Sequence, residues 1–288
     1  MIWIDLVGGW SDSLLVSGIL KQVHEQDPSQ QFNLVERTRS RAILEGHPAI
    51  AAIGNPPPGA RLIRTDYWNH LEYQGEYRRA YQVLAGIFGL EIPIEERVYV
   101  PWEFQENSVV IDAIPWKTLN VLIAPSSESP RKEIPVPIWE QVVEMLSAAS
   151  VLVVQATILQ GHYIRGAYSL LGLTGPKELI SMINRFDVVI TSDTFMMGAS
   201  HLCGVPAVVL WGPTDPKTHG FPEQTHLQAA LDCEYSGGCL RHENSDRTSS
   251  KCPLGDEHCM NKFSAKTIFA ATMTTIENKR RRGPESAA

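Results

Sequence analysis

A chain of 288 residues is long enough for two domains of ordinary size, each with its own core. With 43% hydrophobic and 20% charged residues, a formal charge of −7 and a pI near 5.7, it reads as globular and lacks the basic character of a nucleic-acid binder. No apolar run approaches the ~20 residues of a membrane span, and the opening MIWIDLVGGWSD has no basic segment of the signal-peptide kind, so a cytoplasmic location is the default expectation.

Residues 2–7 read as an apolar strand, with Gly8-Gly9-Trp10-Ser11 as the turn after it. A helix follows over 12–26, where Leu14, Leu15, Ile19, Leu20 and Val23 make an apolar stripe. Gly8 and Gly9 let backbone pass close to a ligand, and Ser11 or Asp12 is placed to cap the helix. A strand over 31–36 precedes a helix near 40–46, and a Pro/Gly loop over 55–59 leads to a strand at 61–65. Helical periodicity over 73–90 stops at Gly89, and 98–100 reads as a short strand. From 101 to 118 the periodicity breaks and prolines recur. This marks a linker between an N-terminal domain, 1–115, and a C-terminal domain, 116–288.

The second domain opens with a strand at 120–124 running into Pro125-Ser126-Ser127-Glu128-Ser129, whose hydroxyl and N–H groups suit a phosphate. Arg131 and Lys132 come next, then a helix over 139–150, a strand over 151–156 and a helix over 175–185. The most informative stretch is FDVVITSDTFMMGASHLCGVPAVVLWGPTD, residues 186–215. Two continuous apolar runs, 187–192 and 207–211, flank a short helix that reaches about Cys203. That is the β-α-β pattern of parallel strands covered on both faces. Asp193 and Thr194 fall where the strand ends and the helix begins, a position that caps N–H groups and attracts phosphate. Gly212-Pro213-Thr214-Asp215 brings another turn to the same edge, where open α/β sheets bind ligands.

Beyond Asp215, Cys233, Cys239, Cys252 and Cys259 share one loop, 233–259, with His242 and His258 among them. In a cytosolic chain such a cluster speaks for a metal, or for no special role, before a disulfide frame; four thiolates suit zinc or iron. Cys203, on an apolar helix, reads as a buried side chain. A last helix over 264–279 is capped by Ser264, and Lys279-Arg280-Arg281-Arg282 reads as a frayed, solvated tail.

Two well-separated blocks resemble the family 9 glycosyltransferases, the heptosyltransferases that use ADP-heptose. LVGGWSDSLLVSGIL is similar to the family's opening block. Asp193-Thr194 with its helix, Gly204-Val205-Pro206, the apolar strand and Gly-Pro-Thr-Asp-Pro (212–216) are similar to its nucleotide-binding segment. Shorter similarities lie at His47-Pro48-Ala49-Ile50, at Lys132 before Ile134-Pro135, and at 175–185. Phe195 stands where the family has Gly, and Gly198 where it has His, with His201 one helical turn further on. Gln160-Gly161-His162 lies where the family often carries an acid for the ribose. The stretch from Cys252 to Met260 resembles the Cys-rich segment near the family's end; a subset that glycosylates bacterial autotransporters holds iron in a comparable cysteine finger.

The resemblance implies an α/β fold of two Rossmann-like domains facing each other across a cleft, the GT-B architecture. Domain 1–115 would serve the acceptor and 116–288 the nucleotide sugar. The implied reaction moves a heptose, or a related sugar, from a nucleotide diphosphate, foremost ADP-heptose, to a hydroxyl of a saccharide, protein or small molecule. Asp12 falls on the acid thought to act as base. Ser126, Ser127, Lys132, Asp193, Thr194, Phe195, Met196, Gly212 and Thr214 would bind the donor, setting N–H groups, hydroxyls and a cation against developing phosphate charge. No cofactor is required for catalysis; iron or zinc on Cys233, Cys239, Cys252 and Cys259 would be structural. In such enzymes the last helix often crosses back onto the first domain. The same frame also hosts sugar-nucleotide epimerases, and a degenerate nucleotide-binding or scaffold member is a further reading. The intact Asp12 argues against the scaffold.

Overall fold

The computed structural model describes residues 1–70, 78–104, 108–158, 161–229, 239, 252 and 259–282. The chain divides into two compact units: Met1–Glu103 with Lys217–His219, and Phe104–Pro216 with Gly220–Ala288. None of the described helices is long and apolar enough to cross a membrane.

The first unit holds a parallel sheet of β1 (Ile2–Asp5), β2 (Phe32–Val35), β3 (Ile50–Gly54) and β4 (Arg61–Arg64), in the order β3-β2-β1-β4. Helices α1 (Trp10–Gln26) and α2 (Ala80–Ile87) join it in one core. The predicted stripe on α1 is the face that packs: Ile19, Leu20 and Val23 lie with Ile4, Phe32 and Leu34 of the strands and Tyr81 and Leu84 of α2. Each such side chain contributes about 1.5–3 kcal/mol when taken out of water. Gly18 sits inside α1 because the chain passes close by. A Cβ there would lie 1.8 Å from the carbonyl oxygen of Arg97.

Several expectations change here. The helix expected near 40–46 is a single 3-10 turn, Arg41–Ile43, and no strand forms over 98–100. The helix expected over 73–90 is described only as Ala80–Ile87, residues 71–77 lying outside the described set. Strand β3 was not expected; its short run of Ile and Ala is mostly exposed, and alanine carries little strand preference. His47 ties the loop before β3: its Nδ1 accepts from Ala49 N–H at 3.1 Å, and its Nε2 lies 3.1 Å from the Ser17 carbonyl oxygen. Burial pushes the imidazole pKa down to about 4, so the ring is neutral at pH 7.

The second unit is built on six parallel strands: β5 (Asn120–Ala124), β6 (Leu152–Gln155), β7 (Tyr168–Ser169), β8 (Val188–Ser192), β9 (Ala207–Trp211) and β10 (Thr225–Gln228). Their order, β10-β9-β8-β5-β6-β7, is that of a doubly wound Rossmann sheet. β5, β8 and β9 are buried along their whole length, which is why they show as unbroken apolar runs. The short edge strands β7 and β10 carry no such run and were not expected. In chain order the remaining helices are α3 (Ser108–Asp112), α4 (Val136–Ala148), α5 (Pro176–Met182), α6 (Phe195–Leu202), α7 (Pro216–His219), whose residues Lys217–His219 are grouped with the first unit, and α8 (Ala265–Arg282).

Helix α8 packs on α4 and over β8, β9 and β10, that is, on the sheet of its own unit, with Ile268 and Ile276 buried. Ser264 caps it as expected, its hydroxyl accepting from Thr267 N–H at 3.1 Å. The frayed tail expected at 279–282 is helical instead. Lys279 Nζ donates to the carbonyls of Phe186 (3.2 Å) and Asp187 (3.3 Å), which locks the helix end to the start of β8.

Candidate functional site

Because all strands of the second sheet are parallel, their carboxyl ends share one edge. The winding reverses between β5 and β8, which makes this the switch point where sheets of this kind bind ligands. Pro125, Ser126 and Ser127 follow β5; Asp193, Thr194 and α6 follow β8; Gly212, Pro213 and Thr214 follow β9. The edge is well packed: Ser126, Asp193 and Thr214 are all at most 7% exposed.

Lys132 reaches this edge from a 3-10 turn, Pro130–Lys132. Its ammonium donates to Asp193 Oδ2 at 2.6 Å and to the Asp193 carbonyl at 3.1 Å. The cation expected beside a diphosphate is thus held in place by an acid of the β8–α6 turn. Thr194 is the N-cap of α6: its hydroxyl accepts from Met196 N–H at 3.3 Å and lies 2.8 Å from Thr191 Oγ1. Met196 N–H is therefore already engaged by the cap. The side chains of Phe195 and Met196 are turned into the core, 4% and 3% exposed. Phe195, at the position where the resembling family has Gly, therefore fills core volume.

Ser127 N–H donates to Glu133 Oε1 at 2.8 Å, and Ser127 Oγ accepts from Ser129 N–H at 3.2 Å, so the serine turn is braced from within. Gly161 packs directly on Ser126: a Cβ there would fall 2.1 Å from Ser126 Oγ. Glu133 and Ser192 have no local signal in the sequence that points to the site. Ser192 Oγ, at the end of β8, is buried and has no hydrogen-bond partner among the described residues. His201 pairs with Glu223 at 2.6 Å and stacks on Phe221 at 3.9 Å, at the C-terminal end of α6. Cys203 Sγ donates to the Ile180 carbonyl at 3.4 Å, and burial pushes its pKa up to about 12.

Cys233, His242 and His258 lie outside the described residues, as does Gln160 of the expected ribose segment. Cys239 and Cys259 gather at the β9 turn. Cys239 Sγ is 3.8 Å from Arg131 Nη1 and 3.9 Å from the Pro213 carbonyl oxygen. A Cβ on Gly212 would lie 2.6 Å from Cys259 Sγ. Burial, and then the charges of Cys239 and Cys252, push the Cys259 pKa up to about 12. Among the described residues no group of three or more His, Cys, Asp or Glu side chains is arranged to hold a metal ion.

In the first unit, α1 begins at Trp10, two residues earlier than expected, so Asp12 lies in the first helical turn. Its Oδ2 accepts from Gly9 N–H at 2.7 Å, and the side chain is buried, 7% exposed. Gly8 turns with φ +127°, and a Cβ there would fall 2.3 Å from Asp12 Oδ2, so glycine is required on both counts. The carboxylate thus closes the turn after β1. At the end of β1 the carboxylate of Asp5 is held by Arg37 at 2.7 Å and Arg64 at 3.5 Å.

No family model and no curated protein sequence matches the chain. Solved structures do. The bacterial iron-containing dodecameric glycosyltransferase TibC from enterotoxigenic E. coli is 15% identical, with a TM-score of 0.71 over 98% of this chain and 76% of that one. A glycosyl transferase of family 9 from Veillonella parvula is 12% identical, with a TM-score of 0.63 over 96% and 97% of the two chains. The E. coli ADP-heptose lps heptosyltransferase II is 10% identical, with a TM-score of 0.60 over 97% and 99%. The chain therefore has the fold of these glycosyltransferases, GT-B type, with two Rossmann-like α/β units.

Proposed function

We propose that the protein is a glycosyltransferase that moves a heptose, or a related sugar, from ADP-heptose to an acceptor hydroxyl. One observation carries this reading. The serine turn, the Lys132–Asp193 pair, the α6 N-terminus and the Gly212–Pro213–Thr214 turn all sit on the carboxyl edge of one doubly wound sheet, around its switch point. Hydroxyls, N–H groups and one ammonium suit a diphosphate leaving group, whose charge grows as the sugar departs. Solved structures of similar fold have been obtained with ADP-D-beta-D-heptose (TibC) and with ADP (the heptosyltransferase WaaC), which supports an adenosine diphosphate donor here.

Asp12 serves as base. It takes the proton of the acceptor hydroxyl as that oxygen bonds to the anomeric carbon, and the bond from that carbon to the diphosphate breaks, its electron pair leaving on phosphate. Ser126, Ser127, Lys132 and the backbone of Thr194 and Phe195 steady that charge. A cytoplasmic location goes with this reading, because the thiols of loop 233–259 stay reduced there. ADP-heptose or ADP should raise the melting temperature while NAD and inorganic phosphate do little. A ligand at ~100 times its Kd stabilises by roughly 2.7 kcal/mol, readily seen by differential scanning fluorimetry. A flat response to every nucleotide would remove the donor site.

A structural iron or zinc ion on Cys233, Cys239, Cys252 and Cys259 is part of the same reading. The meeting of Cys239 and Cys259 at the Gly212–Pro213 turn supports it, as does the iron in TibC. Such an ion would brace the turn after β9 and take no part in transfer. Elemental analysis of purified protein should find about one metal atom per chain, lost in Cys239→Ser. Folded wild-type protein free of metal would exclude it.

A further inference from the structure

Thr65, the residue after β4, is 0% exposed although it carries a hydroxyl. Its Oγ1 accepts from Val7 N–H at 2.8 Å and donates to the Val7 carbonyl at 3.0 Å, so one hydroxyl satisfies both backbone groups of Val7. Val7 is half-buried, and its backbone groups need partners because β1 has already left the ladder at Asp5. Thr65 N–H still donates to the Asp5 carbonyl at 3.3 Å, and the hydroxyl then extends the β1–β4 pairing to Val7. The next residue is Gly8, at φ +127°, which abuts Asp12 Oδ2; Gly9 N–H donates to that same oxygen at 2.7 Å. Hydroxyls of this type commonly bond to backbone near them in sequence. This one reaches 58 residues back to the turn that carries Asp12.

We infer that Thr65 is the positioning residue for Asp12. By pinning Val7 it fixes the Gly8–Gly9 turn, which holds Asp12 Oδ2 and leaves Oδ1 as the oxygen that takes the acceptor's proton. The inference rests on Asp12 being the base of the proposed reaction. Small displacements of a reacting group are costly in rate: ~1 Å can lose about 100-fold.

The test measures ADP released from ADP-heptose, with water as acceptor, by the full-length chain. Thr65→Val should lower kcat about 10-fold or more and leave KM and the ADP-heptose thermal shift unchanged. Thr65→Ser should restore kcat. In an Asp12→Asn background, Thr65→Val should cost nothing further, since both changes act on one group. Undiminished kcat in Thr65→Val, or an equal loss in both backgrounds, overturns the positioning role. An active Asp12→Asn, or a wild type that releases no ADP, instead overturns the parent reading and the inference with it. Should Thr65→Val fail to fold, hydrogen exchange on the wild type decides. The Val7 and Gly9 amides should exchange about 100-fold more slowly than a solvated loop. Exchange at the loop rate removes the clasp.

Discussion

Asp12→Asn should lower sugar transfer by ~100-fold or more while the ADP-heptose-induced thermal shift persists. Asparagine keeps the shape and an oxygen that can accept from Gly9 N–H, so the turn after β1 stays closed. What is lost is the ability to take a proton. Were Asp12 only a brace of the first turn of α1, Asp12→Asn would leave the rate alone, and only Asp12→Ala, which loses the bond to Gly9 N–H, would cost about 1 kcal/mol of stability. Paired rate and melting measurements separate the two roles. Transfer at near-normal rate by Asp12→Asn takes Asp12 out of the mechanism.

Lys132→Met should both loosen the fold and weaken donor binding. The Lys132 and Asp193 side chains are 14% and 7% exposed and meet at 2.6 Å. Removing the ammonium leaves a buried carboxylate without its cation, a loss of about 3 kcal/mol by the measure of buried pairs. The donor diphosphate loses a charge-assisted hydrogen bond, which lowers affinity about 10- to 100-fold. The double variant Lys132→Met/Asp193→Asn should recover most of the stability and none of the affinity, since only the first effect comes from the stranded carboxylate. Chemical denaturation and ADP-heptose titration read the two effects separately. Wild-type affinity in Lys132→Met would show that Lys132 braces the turn without touching the donor.

Much of the second unit was legible in the chain. β5, β8 and β9 fall where continuous apolar runs end in turn residues, and α6 begins behind a Thr cap, because burial on both faces and N-capping are recorded in adjacent residues. The α1 stripe and the Ser264 cap were legible for the same reason. Elements without a local pattern were missed or misjudged: β3, β7 and β10 at sheet edges, the 3-10 turn at Arg41–Ile43, and the helical end of α8.

What the sequence by itself determined is which segments seek burial and which turns can cap a helix or cradle an anion, since those preferences act within a few residues. Only the tertiary structure decided strand order, and with it the place of the switch point. It alone joined Lys132 to Asp193 across 61 positions, Val7 to Thr65 across 58, and Lys279 to the start of β8. A buried charge or hydroxyl must find a partner, but its own neighbours in sequence do not say which one. In a parallel sheet the partner arrives through a crossover, so contacts that hold the candidate site together come from segments far apart in the chain.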